Sequence, residues 1–432
     1  MLSRIRKLLN KPFIKNVLIM ATGTFGAQVV KMLTSPLITR IYGPDAFGVM
    51  GVFVSIIQIL IPIAALTYPT AIVLPKSDLI AKGLIRLSLY ISFVISIIIF
   101  LSLLLFNKAI INTFKLEEVS LYLYLIPLVI IFTTLMQVLE QWYIRKKKFR
   151  INAKATFYQA VAIEFGKIGI GVVIPIGSVL VILTAFSNGI KALLLVIFAR
   201  VRVSGYVYKK RQVSFLSIKK LAKKYKDFPL LRAPQALIDA ITQGLPVLML
   251  TSLFNPIAAG FFTLCRTVLT LPSSLIGKAV GDVFYQRVNE AFLNKEKLSS
   301  LIKKAVLFLS AIGIVPFMFI VVFGPKLFGF LFGDIWYTAG EYARWMALSL
   351  FFRFINEPCI RALPVLSAQS LHLFITILQT FIRILAIWIG FFIFKDDTMA
   401  IALYGLTGAL INLLLIVLTI KRSKKFETDY TV

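Results

Sequence analysis

Seven basic residues, Lys31, Lys167, Lys191, Arg266, Lys278, Arg353 and Arg383, lie inside long apolar stretches of this sequence. Five acids, Glu140, Glu164, Asp239, Asp282 and Glu357, lie within or at the ends of the same stretches. A charge at the centre of a membrane helix costs about 2.5–3.5 kcal/mol on insertion scales, so such residues pair with one another or face water. Basic residues outnumber the acids, which makes the interior cationic and suits an anionic ligand by Coulomb attraction at low dielectric. The arginines are the better phosphate ligands, because a planar guanidinium can hold two oxygens at once.

Helical spacing sets where these groups point. Thr24, Gln28, Lys31 and Ser35 share one face, as do Gly51, Ser55, Gln58 and Pro62. Gln235, Asp239, Gln243 and Pro246 form a third stripe, and Thr263, Arg266, Thr270, Ser274, Gly277 and Gly281 a fourth. The substrate-binding candidates are therefore Lys31, Arg266, Arg353, Arg383, Gln28 and Gln58. Close helix packing through small residues is the competing reading for each stripe, and Gly277-x-x-x-Gly281 fits it well. Lys278 and Asp282 also read as interfacial anchors. Glu164 with Lys167, and Arg353, Glu357 and Arg361, sit at ion-pair spacing and can simply neutralise each other.

Other chemistry is missing from the sequence. It has no P-loop, no H-E-x-x-H and no paired acids on a long loop, so no catalytic residue, metal ligand or bound cofactor is expected. The single histidine, His372, lies near a helix end, and Cys265 and Cys359 read as small buried thiols rather than a disulfide or metal pair. Energy would come from an ion or substrate gradient; Asp239 and Glu164 are the acids placed to couple H+ or Na+.

The elements that must position these residues are membrane helices. Of 432 residues, 59% are hydrophobic and only 15% charged, against about 25% charged in soluble domains. Backbone polar groups inside lipid must be satisfied within the segment, so long apolar stretches are helices. Twelve are expected, near 16–41, 46–74, 82–106, 119–143, 153–174, 177–199, 230–253, 257–284, 302–332, 338–366, 369–394 and 398–420. The third and twelfth look nearly featureless and are expected to face lipid.

Alternate loops then share one side of the membrane. Of the 48 Lys and Arg, 35 fall on the side of the termini, and six, Arg40, Lys108, Lys115, Lys326, Arg344 and Lys395, fall on the other. That asymmetry predicts a multi-pass membrane protein with both termini cytoplasmic. It also accounts for most of the formal charge of +30 without nucleic acid as a partner; anionic membrane lipids suffice.

The sequence also repeats. IYGPDAF at 41–47 and LFNPIAA at 253–259 align Pro44 with Pro256 and Gly48 with Gly260, 212 positions apart. Pro36 and Pro246 precede the turns, and Pro62 and Pro272 follow them. Six helices separate the copies, which predicts an all-α protein of two six-helix bundles related by a parallel pseudo-twofold axis. The bundles would be 1–199 and 230–432, joined by a basic linker at 200–229. Gly43, Pro44, Gly48, Pro256 and Gly260 are expected to act as outer-gate hinges that shape the backbone rather than bind.

The stretches KKYKDFPLLRAP (223–234), LPVLML, FNPIAAGFF, LPSSLIGKAVGDVFYQR (271–287) and FGPKLFGFLFG (323–333) resemble polysaccharide flippases, as does SPLITRIYGPDAFGVMGVF near the start. These are the Wzx-type branch of the multidrug/oligosaccharidyl-lipid/polysaccharide (MOP) exporter superfamily. The resemblance implies a MATE-like fold and alternating access. It also implies translocation of undecaprenyl-diphosphate-linked oligosaccharide to the outer leaflet for O-antigen, capsule or exopolysaccharide. A glycan polymerase and a chain-length regulator are implied partners. The family has no invariant catalytic motif from which a site residue could be carried over. A cation-coupled drug or metabolite antiporter of the same fold is the alternative.

Overall fold

The computed structural model describes residues 12–114, 117–199, 215–294, 296–366 and 368–431. The expected cytoplasmic residues through Lys11, Lys115 and linker positions 200–214 lie outside them, as do the side chains of Pro272, Ser274, Lys278 and Asp282. The fold is all-helical. Among the described residues the helices of nineteen or more residues are α1 (Pro12–Ile41), α2 (Pro44–Ala64), α3 (Asp78–Phe114), α4 (Ile126–Arg145), α5 (Phe149–Val173) and α6 (Gly177–Phe198). They continue with α7 (Ala233–Leu253), α8 (Pro256–Leu293), α9 (Leu298–Phe332), α10 (Tyr337–Ile355), α11 (Gln369–Ile389) and α12 (Asp397–Thr431). Eight segments, on α2, α3, α4, α6, α7, α9, α11 and α12, are long and apolar enough to cross a membrane. The other four, α1, α5, α8 and α10, carry Lys31, Glu164 with Lys167, Arg266 and Arg353, which lower their apolar content.

The contacts divide the chain into two compact units, Met1–Leu248 and Met249–Val432, and the division falls inside α7. In the first unit α1 packs along α5, with Gly23 against Ala153, Gly26 against the Phe157 ring and Gly171 against Tyr42. The Tyr42 hydroxyl donates to the Lys167 carbonyl at 2.8 Å and fixes the end of that contact. After α2 the backbone turns left-handed at Leu66 (φ 48°) and Thr67 (φ 56°), an uncommon conformation for non-glycine residues. Thr67 is held there by donation from its hydroxyl to the Phe228 carbonyl at 3.1 Å. Arg145 closes the following loop: it donates to the carbonyls of Pro75 and Lys76 and pairs with Asp78 at 3.0 Å. The helix Phe215–Lys224 docks on the same core, with Leu221 against Gly83 and the Tyr68 hydroxyl bonded to the Ala222 carbonyl.

In the second unit α9 and α10 approach until Gly340 meets the backbone of Gly324 and Pro325. A further core joins Phe284, Val288, Leu309, Phe354, Cys359, Leu363 and Leu415. Both cysteines are buried and free. The expectation that the twelfth helix faces lipid is not met. Its apolar window is 56% buried, against 17% for α3. Small and polar residues explain this: Gly405 lies on the Trp345 backbone, Gly408 on Ser349 and Arg383, and Asn412 pairs with Asn356.

Candidate functional site

In the first unit α1, α4, α5 and α6 bring three lysines and two glutamates together. Glu164, 6% exposed, pairs with Lys167 at 3.2 Å along α5. Glu140 on α4 pairs with Lys191 on α6 at 2.5 Å. Lys31 on α1 is half-buried and feels the attraction of Glu164 and the repulsion of Lys167 and Lys191. Around them Asn188 donates to the Thr133 hydroxyl at 2.8 Å, Gln159 bonds Ser187, and Asn152 donates to the Glu140 carbonyl. Gln28, one turn before Lys31, has its carbonyl oxygen buried with no hydrogen-bond partner. Gln58 on α2 and Asp239 on α7 are exposed. Each of the two glutamates therefore has a lysine, and among the described residues Lys31 has no carboxylate ion pair.

The second unit gathers arginines. Arg383 on α11 stacks over the Tyr404 ring of α12, 4.6 Å from its centroid, and donates to the Ser349 hydroxyl at 2.8 Å. Its Nε is buried without a hydrogen-bond partner, as is the carbonyl oxygen of Asn356. Arg266 on α8 lies near Tyr404 and Arg353, and Arg353 repels both Arg266 and Arg383. Glu357, which the spacing allowed to neutralise Arg353, instead pairs with Arg361 at 3.0 Å, with Gly281 packed behind them. Arg353 itself is exposed. Such a set can hold a multiply charged oxyanion: guanidinium donors supply the charge, and Ser349 and Tyr404 fix the geometry.

The two repeated turns are both helix starts with proline at the first position, where a missing N–H costs nothing. Asn255 caps α8 by accepting the Ala258 amide at 2.8 Å, whereas Gly43 gives α2 no side-chain cap. Gly48 and Gly260, one turn on, are both buried.

Sequence reasoning named every charged member of these groups but missed Ser349, Tyr404, Asn356 and Asn412. The signal was there for α12, since Tyr404, Gly408 and Asn412 repeat every fourth residue on one face.

The family described as "Polysaccharide biosynthesis protein" matches residues 37–341. The chain belongs to that family. Its fold is shared with solved members of the MOP superfamily. An inward-facing multidrug resistance MATE family transporter matches at TM-score 0.71 and 14% identity, over 93% of this chain and 96% of that one. The lipid II flippase MurJ in an inward closed conformation matches at TM-score 0.70 and 13% identity, over 95% and 90%. An outward-facing MATE transporter matches at TM-score 0.57 and 16% identity, over 98% of each chain. Among curated proteins no sequence match was found. Together with the eight membrane-length apolar helices among the described residues, these findings make this family member a multi-pass membrane protein.

Proposed function

We propose that this protein is a flippase that moves undecaprenyl-diphosphate-linked oligosaccharide from the cytoplasmic to the outer leaflet by alternating access. The observation that carries the reading is the arginine set of the second unit, Arg266, Arg353 and Arg383, in a member of a polysaccharide biosynthesis family. A diphosphate is a compact dianion, and arginine forks on facing helices are the donors it prefers. Twelve spans in two six-helix bundles, termini in the cytoplasm and gating at the Gly43–Gly48 and Pro256–Gly260 turns complete the proposal. Glu164 and Asp239 serve ion coupling. A glycan polymerase and a chain-length regulator take up the product.

The test is surface glycan in a deletion strain complemented with Lys31→Gln/Arg266→Gln. A hydrogen bond to a charged group is worth roughly 1.5–3 kcal/mol, and about 1.4 kcal/mol is tenfold, so glycan should fall by more than about tenfold. Protein in the membrane should stay at the wild-type level. Undiminished glycan would overturn the reading.

The likeness to MATE transporters favours a second reading, cation-coupled export of drugs or metabolites. It predicts drug sensitivity on deletion with intact surface glycan.

A further inference from the structure

A cleft of about 590 Å³ opens in the second unit, where the start of α11 meets the end of α12. One wall is basic: Lys421, Arg422 and Lys425 lie within a turn and a half of α12 and are exposed. The other is apolar: Leu371, Phe374 and Leu418, of which Phe374 is 63% exposed. Lys421 and Lys425 are four residues apart, a spacing at which like charges destabilise a helix. The first turn of α11 adds its own partial positive charge to the same cleft. Glu427, further along α12, is engaged by the first turn of α9, where it accepts from the Ser299 amide at 2.6 Å and hydroxyl at 3.0 Å. Ordinary positive-inside decoration looks different in this protein. On the helix Phe215–Lys224, Lys219, Lys220 and Lys223 share an element whose Leu221 is buried against the first unit. In the cleft Phe374 stands open beside Leu371 and Leu418, which are partly buried against the core.

We propose that this cleft is a binding site for an anionic phospholipid. The phosphate of a phosphatidylglycerol-type headgroup sits among Lys421, Arg422, Lys425 and the first turn of α11. The acyl chains run down the face carrying Leu371 and Phe374. The chemistry matches on both counts, since basic pockets beside membrane helices take anionic headgroups and the apolar wall takes hydrocarbon. The site lies apart from the Arg383–Tyr404 contact and needs no cargo. It rests on the membrane reading of the chain, not on the identity of what the protein transports.

The full-length protein, purified in mild detergent, would be loaded with phosphatidylglycerol or phosphatidylcholine and its retained lipid counted by native mass spectrometry. The wild type is expected to keep phosphatidylglycerol and release phosphatidylcholine. Lys421→Gln/Arg422→Gln/Lys425→Gln should weaken that retention by roughly tenfold or more, as three surface charges are removed. Lys219→Gln/Lys220→Gln/Lys223→Gln removes equal charge elsewhere and should retain lipid like the wild type. Phe374→Ala should also weaken retention, whereas millimolar inorganic phosphate should not displace the lipid. Equal retention of both lipids, equal loss in the two triple variants or displacement by free phosphate would overturn the proposal. None of these readouts involves glycan. A protein that holds the lipid and fails the glycan test loses only the flippase reading, and the reverse result loses only this site.

Discussion

The two units bury charge in opposite ways. In the first, lysines answer carboxylates: Glu164 with Lys167, and Glu140 with Lys191. In the second, Arg383 is held by a hydroxyl and an aromatic face, and among the described residues neither Arg353 nor Arg383 has a carboxylate ion pair. A balanced pair settles the fold around it, because losing one partner strands the other charge. A guanidinium held by Ser349 and Tyr404 keeps its charge available for something that arrives later. On the flippase reading proposed above, the difference gives the paired lysines of the first unit a part in holding the fold and the arginines of the second a part in binding the ligand.

Single substitutions test that contrast most strongly. The side chains of Lys167 and Glu164 are 13% and 8% exposed, so Glu164→Gln should cost about 3–5 kcal/mol, the usual penalty for stranding a buried charge. A thermal unfolding scan of the purified protein would register it as a large drop in Tm. Glu164→Gln/Lys167→Met should recover more than half of the loss. Arg383→Gln should behave oppositely. The lost Ser349 bond and Tyr404 stacking are offset by relief of a buried cation, which leaves stability within about 1 kcal/mol of wild type. Surface glycan should nevertheless collapse. If Arg383→Gln unfolds the protein and Glu164→Gln does not, the contrast is the wrong way round.

How much of this the sequence revealed depends on the range of each interaction. Glu164 and Lys167 are three residues apart on one helix, and their pairing follows from spacing alone. Glu140 and Lys191 lie on α4 and α6, and nothing in the local pattern announces that they meet. Arg353 had two readings from spacing, and Glu357 pairs instead with Arg361, where both side chains lie against Gly281. The burial of α12 was missed because hydropathy averages over a helix, while a stripe of Tyr404, Gly408 and Asn412 acts on one face. The helical class itself needed only composition, because lipid leaves so few alternatives.

Helix contacts give a second, smaller comparison. Gly340 in the second unit faces backbone, the Gly324 carbonyl and the Pro325 Cα, which cannot move aside without shifting α9. Gly26 in the first unit faces only the edge of the Phe157 ring, which can turn. Gly340→Ala should therefore lose about 1–3 kcal/mol, as overpacking does, and Gly26→Ala less than half of that. Equal losses in thermal unfolding would mean that the α1–α5 contact is as rigid as α9–α10.

The smallest effects belong to the repeated turns, where one copy is capped and the other is not. Asn255→Ala removes the bond to the Ala258 amide and should cost about 1 kcal/mol. Gly43 has φ −70° and ψ 173°, extended backbone open to any residue, and no neighbouring atom lies within 4 Å of where a Cβ would stand. Gly43→Asn can adopt the cap that Asn255 makes, and asparagine improves on glycine at this position by a few tenths of a kcal/mol. Amide exchange at Ala46 should slow in that variant, and at Ala258 should quicken in Asn255→Ala. A transporter needs more from a gate than a stable helix start. If Gly43→Asn stabilises α2 and slows glycan export together, the missing cap is what lets the first turn move. If it stabilises α2 and export is untouched, Gly43 is only a tight corner, and the hinge role is lost for that copy of the repeat.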